Sequence, residues 1–207
     1  MSRTPLASRP LDLIYFIFFM VSVFVPAVAK PQTSQMHLPV SLLLDLQALY
    51  PKSLVPAAIA SLPEFYISKS SDPLVGGVMG LLGDSDRYVW FKSLLMLEAV
   101  FQVPVFIIGM RGLWKDARSI YVLLLIYAAS TATTTLPCLA VILSTPILGA
   151  SNVAAGVVPI TSEQRLMLLS SYVPFLILPL FMTVDMALRL WKLLEVGNQS
   201  QLAAKTK

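Results

Sequence analysis

Residues 88–110 read YVWFKSLLMLEAVFQVPVFIIGM. A helix needs ~17–25 residues to cross a bilayer core, and this run has that length. Its charges are Lys92 near one end and Glu98 near the middle. Residues 120–146 and 166–191 repeat the pattern, and residues 11–29, LDLIYFIFFMVSVFVPAVA, form a fourth apolar run. A further stretch, 38–50, is too short to cross alone. It suits an interfacial helix, a re-entrant piece or the end of the first span. Barrel strands would show ~10-residue alternation, which these runs lack, so they read as helices.

The whole chain agrees with that reading. It has 207 residues, 57% hydrophobic and 13% charged, with a mean hydropathy of +0.76. Soluble domains are about a quarter charged, so a soluble fold is excluded, and disorder is excluded by the same apolar excess. The net charge is +4, but the basic residues are not interleaved with aromatics. They serve orientation in a bilayer, and no nucleic-acid partner is expected. The single cysteine, Cys138, excludes an intrachain disulfide, and one His with one Cys leaves no zinc-type site. No cofactor is implied.

The expected fold class is therefore all-α integral membrane: a four-transmembrane-helix bundle over residues 1–195 with a cytosolic tail at 196–207. Pro104, Pro137, Pro174 and Pro179 lie inside the spans, so kinked helices are expected, their freed carbonyls satisfied by neighbours. Residues 51–86 are rich in Pro, Gly, Ser and charge. They read as a long luminal first loop with a short helix near 56–66. Arg3 and Arg9 precede the first run, Arg111, Lys115 and Arg118 lie between the second and third, and Arg189 and Lys192 end the fourth. The connection 148–164 has no Lys or Arg. By the positive-inside rule both termini are cytosolic.

Ionisable groups inside a bilayer are functional candidates. Asp45, near the end of the first span, and Glu98 stand out, with Gln102 one i+4 step from Glu98. A desolvated lone carboxyl holds its proton, whereas two that meet share one and leave a seat for a ligand amine. A contact that merely locks two helices is the alternative. Asp185 and Arg189 read as an i, i+4 pair, and the hydroxyls of residues 130–135, STATTT, as interhelical hydrogen bonds first and pocket lining second.

Five collinear stretches carry a family likeness: HLPVSLLLDLQALYP (37–51), SDPLV (71–75), WFKSLLMLEAVFQVPVF (90–106), IYAASTATTTLPCL (126–139) and SSYVPFLILPLF (170–181). They resemble the sigma-2 receptor (transmembrane protein 97) family, with the EXPERA domain shared with the emopamil-binding sterol isomerase. Its fungal-type members are named for efficient mitochondria targeting. The resemblance implies an EXPERA-like bundle in the endoplasmic reticulum membrane. It also implies that Asp45 and Glu98 are the acidic pair of a ligand pocket walled by Gln102, Tyr127, Thr134, Tyr172 and Phe175. Phe175 stands where a tyrosine is usual. The function implied is non-enzymatic: a pocket for sterols, lipids or hydrophobic amines, regulating sterol trafficking or the handling of membrane proteins or mitochondrial precursors. Another membrane protein or a second copy of the chain is a candidate partner. The alternative is a sterol Δ8-Δ7 isomerase, which needs a proton donor and acceptor facing the substrate; spans two to four contain no histidine.

In that family the first span runs directly into the H-x-P…DLQA segment. Here residues 21–35, VSVFVPAVAKPQTSQ, intervene. Joining Met20 to Met36 restores one helix, Val-Ser is encodable as a splice donor and Gln as a splice-acceptor end. We read 21–35 as an insertion or the translation of a retained intron. A cleaved signal peptide ending at Ala27-Val28-Ala29 and a plain span are the alternatives.

Overall fold

A computed structural model describes residues 4–24, 46–51, 53, 55, 60–149, 153 and 157–205. Asp45, His37 and residues 25–35 of the intervening segment lie outside this set. The described residues form helices α1 (Pro10–Phe24), α2 (Leu62–Ser70), α3 (Pro73–Val78), α4 (Val89–Leu97), α5 (Val103–Trp114), α6 (Tyr121–Ser144) and α7 (Ser162–Lys205). A π-helical turn, Glu98–Gln102, joins α4 to α5. Three helical runs are long and apolar enough to cross a membrane: Ser85–Trp114, Arg118–Ser144 and Ser162–Lys205, with the shorter apolar run Pro10–Ser22 beside them.

Helix α6 packs along α7, and α1 packs against α5. The second contact is close because Gly109 presents no side chain: a Cβ there would lie 2.9 Å from the Phe19 ring. The apolar interior has two parts. Tyr15, Phe19, Phe106, Leu113, Leu124, Tyr127, Met182 and Met186 fill one end of the bundle. Leu74, Phe91, Leu95, Cys138, Ile142, Ile160 and Leu168 fill the other. On the outside, Val100, Ile107, Leu136, Ile177, Phe181 and Leu188 are among many exposed apolar side chains. A surface this apolar matches a lipid surrounding.

Three features depart from the sequence reading. The segment after the first span, expected to be a long loop with one short helix near 56–66, holds two helices. It carries α2 and α3, and Leu74–Val78 are buried against α4 and α6. The connection 148–164 is pinned by a short parallel bridge between Ile147 and Ile160. Finally, α7 does not stop near 191. Its 44 residues extend about 66 Å, twice a hydrocarbon core of about 30 Å, and the tail is helical through Lys205.

The helices run through their prolines, and one freed carbonyl has a visible partner. Pro179 cannot donate to the carbonyl of Phe175. The hydroxyl of Thr135 on α6 donates to the Thr131 carbonyl at 2.8 Å and lies 3.4 Å from the Phe175 carbonyl, close enough to share its proton with it. The threonine run thus ties α6 to α7 where α7 lacks its own donor.

A polar layer and two buried acidic clusters

Between the two apolar cores lies a polar layer. Along the α4–α5 run, Phe91 and Leu95 belong to one core and Val105 and Phe106 to the other; Glu98 and Gln102 fall between. Along α6, Leu124 and Tyr127 belong to one and Cys138 and Ile142 to the other, with Thr131, Thr134 and Thr135 between. The π turn packs against α6 at this level. Its place has a cause: Pro104 cannot donate to the carbonyl of Val100 and crowds it, so the ladder widens there. Such turns recur at functional sites.

Glu98 is half-buried and Gln102 buried. None of the ion pairs among the described residues includes Glu98. The Tyr127 ring is fully buried between Phe19, 5.2 Å away and edge-on, and Phe106, 5.5 Å away. Phe175 stacks on Phe18 at 5.3 Å. Thr134 donates to the carbonyl of Thr131 at 3.1 Å, and Cys138 donates to the carbonyl of Thr134 at 3.3 Å. Glu98, Gln102 and Thr134 therefore lie between the two cores, while Tyr127 belongs to the core beside them and Phe175 packs against that same core.

Tyr172 does not present a free hydroxyl to this layer. It donates to Oδ2 of Asp72 at 3.0 Å, and Tyr66 donates to the same oxygen at 2.9 Å. Oδ1 of Asp72 accepts from the amides of Leu74, at 2.8 Å, and Val75, at 3.3 Å, capping α3. Asp72 is fully buried. Burial pushes its carboxyl above the ordinary range, against the pull of the two amides and two hydroxyls. Sequence reasoning passed over Asp72, although Asp before a Pro at N1 is a helix-start signal.

A second cluster was also missed. Asp12 is 2% exposed. It pairs with Arg9 through Oδ2 and with Arg189 through Oδ1, at 2.6 Å. Arg189 holds Asp185 as well, at 2.8 Å, so the expected i, i+4 pair is part of a larger network. Tyr15 donates to Asp185 at 3.0 Å, and the Arg189 guanidinium lies 5.4 Å from the Tyr121 ring centre. Arg9 reaches the Leu113 carbonyl and Asp116. The N-terminal segment, the α5–α6 connection and Arg189 of α7 therefore meet at one end of the bundle.

Comparison with known proteins places these residues in a family. The family model described as EXPERA (EXPanded EBP superfamily) matches residues 58–186. This chain belongs to the EXPERA family. It is 34% identical to Sigma intracellular receptor 2 of Homo sapiens over 151 residues, 72% of this chain and 80% of the relative. It is 28% identical to Sigma intracellular receptor 2 of Xenopus tropicalis over 180 residues, 86% of this chain and 89% of the relative. It is also 27% identical to Efficient mitochondria targeting-associated protein 19 of Schizosaccharomyces pombe, over 92% of this chain and 82% of the relative. The EXPERA matched region takes in Asp72, the polar layer and Asp185. The likeness stated from the sequence motifs is the family shown here.

Proposed function

We propose that this EXPERA protein is a non-enzymatic, four-span protein of the endoplasmic reticulum membrane, with both termini cytosolic and an intramembrane pocket for a sterol, lipid or hydrophobic amine. The observation that carries the reading is the polar layer. An acid without a basic partner among the described residues stands between two dry cores, beside aromatic walls. Buried charge needs a partner, and a ligand amine or a second carboxyl sharing a proton supplies one. Asp45 is the second carboxyl in this account, and Glu98, Gln102, Tyr127, Thr134 and Phe175 line the pocket. Tyr172 serves it through Asp72, by fixing α7 to α3. Domain limits of 1–195 with a tail at 196–207 go with this reading.

The likeness to Sigma intracellular receptor 2 favours a receptor-like role in sterol trafficking. The likeness to a mitochondria-targeting-associated protein favours handling of membrane proteins or mitochondrial precursors. Both follow from one device, a bundle whose packing responds to a hydrophobic ligand. The isomerase reading requires a proton donor and acceptor on one substrate. Residues 88–191 contain no histidine, so the receptor reading is preferred. Lipid mass spectrometry of the purified chain tests the proposal. A sterol or other single hydrophobic species should co-purify with the wild type; bulk membrane lipid alone would contradict it.

A further inference from the structure

Among the described residues, Tyr127 OH and Thr131 Oγ1 have no hydrogen-bond partner beyond each other. Tyr127 is fully buried and Thr131 is 4% exposed. They lie one turn apart on one face of α6, so each is within reach of the other. The other threonines of the run behave differently. Thr133, Thr134 and Thr135 each donate to a backbone carbonyl of the preceding turn. Thr131 does not take that bond, although the carbonyl four residues back belongs to Tyr127 itself. Two buried hydroxyls that can satisfy only each other leave one proton unused, and a buried donor left unused is costly.

We propose that Tyr127 and Thr131 form an oxygen-reading subsite, which accepts a hydroxyl or carbonyl oxygen carried by the hydrophobic ligand. The inference rests on the pocket reading above and deepens it. If the two hydroxyls turn toward one another, one proton satisfies one lone pair and the second proton remains free. A ligand hydroxyl completes the set: it accepts from one hydroxyl and donates to the other. The surroundings make this selective. Phe19 and Phe106 wall the Tyr127 ring edge-on, so the phenol oxygen is held in place while water is kept out. A site built around unpaired polar groups rejects an analogue that lacks the matching group, because the groups then stay unpaired. Glu98 and the hydroxyl pair thus act on different ligand groups: the carboxylate reads a positive charge or a donor, and the pair reads an oxygen.

The test is direct binding to the purified full-length chain in detergent, with three probes: cholesterol, 5-cholestene (the same hydrocarbon without the hydroxyl) and N-dodecylpiperidine. The wild type should bind cholesterol about tenfold or more tightly than 5-cholestene. Tyr127→Phe and Thr131→Val should each reduce that preference, and the double variant should abolish it. Equal affinity of the wild type for cholesterol and 5-cholestene overturns the subsite, and this comparison needs no variant to fold. A preference that survives in the folded double variant also overturns it. The pocket reading fails separately, on unchanged amine affinity in Glu98→Gln.

Discussion

Asp12 and Arg189 stand 177 residues apart in the chain and 2.6 Å apart in the fold. Their bond closes the bundle at the end where the N-terminal segment meets the α5–α6 connection. Asp12 is nearly sealed from solvent and lies between two guanidiniums, so removing it leaves two cations with one acidic partner fewer. Breaking a buried pair from one side costs about 3–5 kcal/mol. Asp12→Ala should therefore lower the thermal unfolding midpoint in detergent by several degrees. Replacing both partners, Asp12→Leu with Arg189→Met, should cost less than Asp12→Ala alone. An unshifted midpoint in Asp12→Ala would show the network to be idle.

Asp72 gives a prediction with a pH sign. Its native pKa is raised from the ordinary 3.8 by burial. The protein then favours the protonated carboxyl, and this contribution to stability is full below the ordinary value and is lost as pH rises through the native one. Unfolding midpoints should fall across that window in the wild type and fall less in Asp72→Asn. Asp72→Ala should destabilise at every pH, by about 3 kcal/mol, because four donors lose their acceptor. Tyr172→Phe should cost less, about 1 kcal/mol, since Tyr66 and the two amides remain. A wild-type profile parallel to that of Asp72→Asn would contradict the account.

Thr135 and Pro179 should be coupled. Thr135→Val removes a hydroxyl whose one proton is shared between the Thr131 carbonyl at 2.8 Å and the Phe175 carbonyl at 3.4 Å, a loss of at most about 0.6–1.7 kcal/mol in a membrane bundle. In a Pro179→Ala background the helix supplies its own donor to the Phe175 carbonyl, so Thr135→Val should be cheaper there. A double-mutant cycle in detergent measures the difference. An additive cycle would mean that the 3.4 Å contact carries no energy.

Topology is open to a chemical map. Cysteines placed at residues 115 or 117, in a Cys138→Ser background, should react with an impermeant maleimide from the cytosolic side only. A cysteine at residue 158 should react only from the luminal side. The reverse pattern would invert the bundle.

Much of the architecture was legible because a bilayer demands long apolar runs, and residues 88–110 supply one. Glu98 and Gln102 were legible as polar groups inside such a run. The π turn had a signal that went unread: Pro104, six residues after Glu98, cannot donate to Val100. Asp72 also had a local signal, its place before a Pro at a helix start. What hid its burial was composition, since SDPLV reads as loop while the fold sinks it under α7. The Asp12–Arg189 bond had no local signal, because it depends on how the first and last long helices meet. The helical tail beyond 195 was not foreseen: its polar residues end the apolar run and were read as the end of the structured domain, yet the helix continues through them.

The most direct test of the pocket is the affinity of a hydrophobic amine for folded Glu98→Gln. A charge-assisted bond is worth about 1.5–3 kcal/mol, so a loss of tenfold or more is expected in competition binding with N-dodecylpiperidine. Asp45→Asn should behave alike, while cholesterol binding falls less in both. Unchanged amine affinity in both variants would contradict the account and leave the acidic pair as a lock between helices.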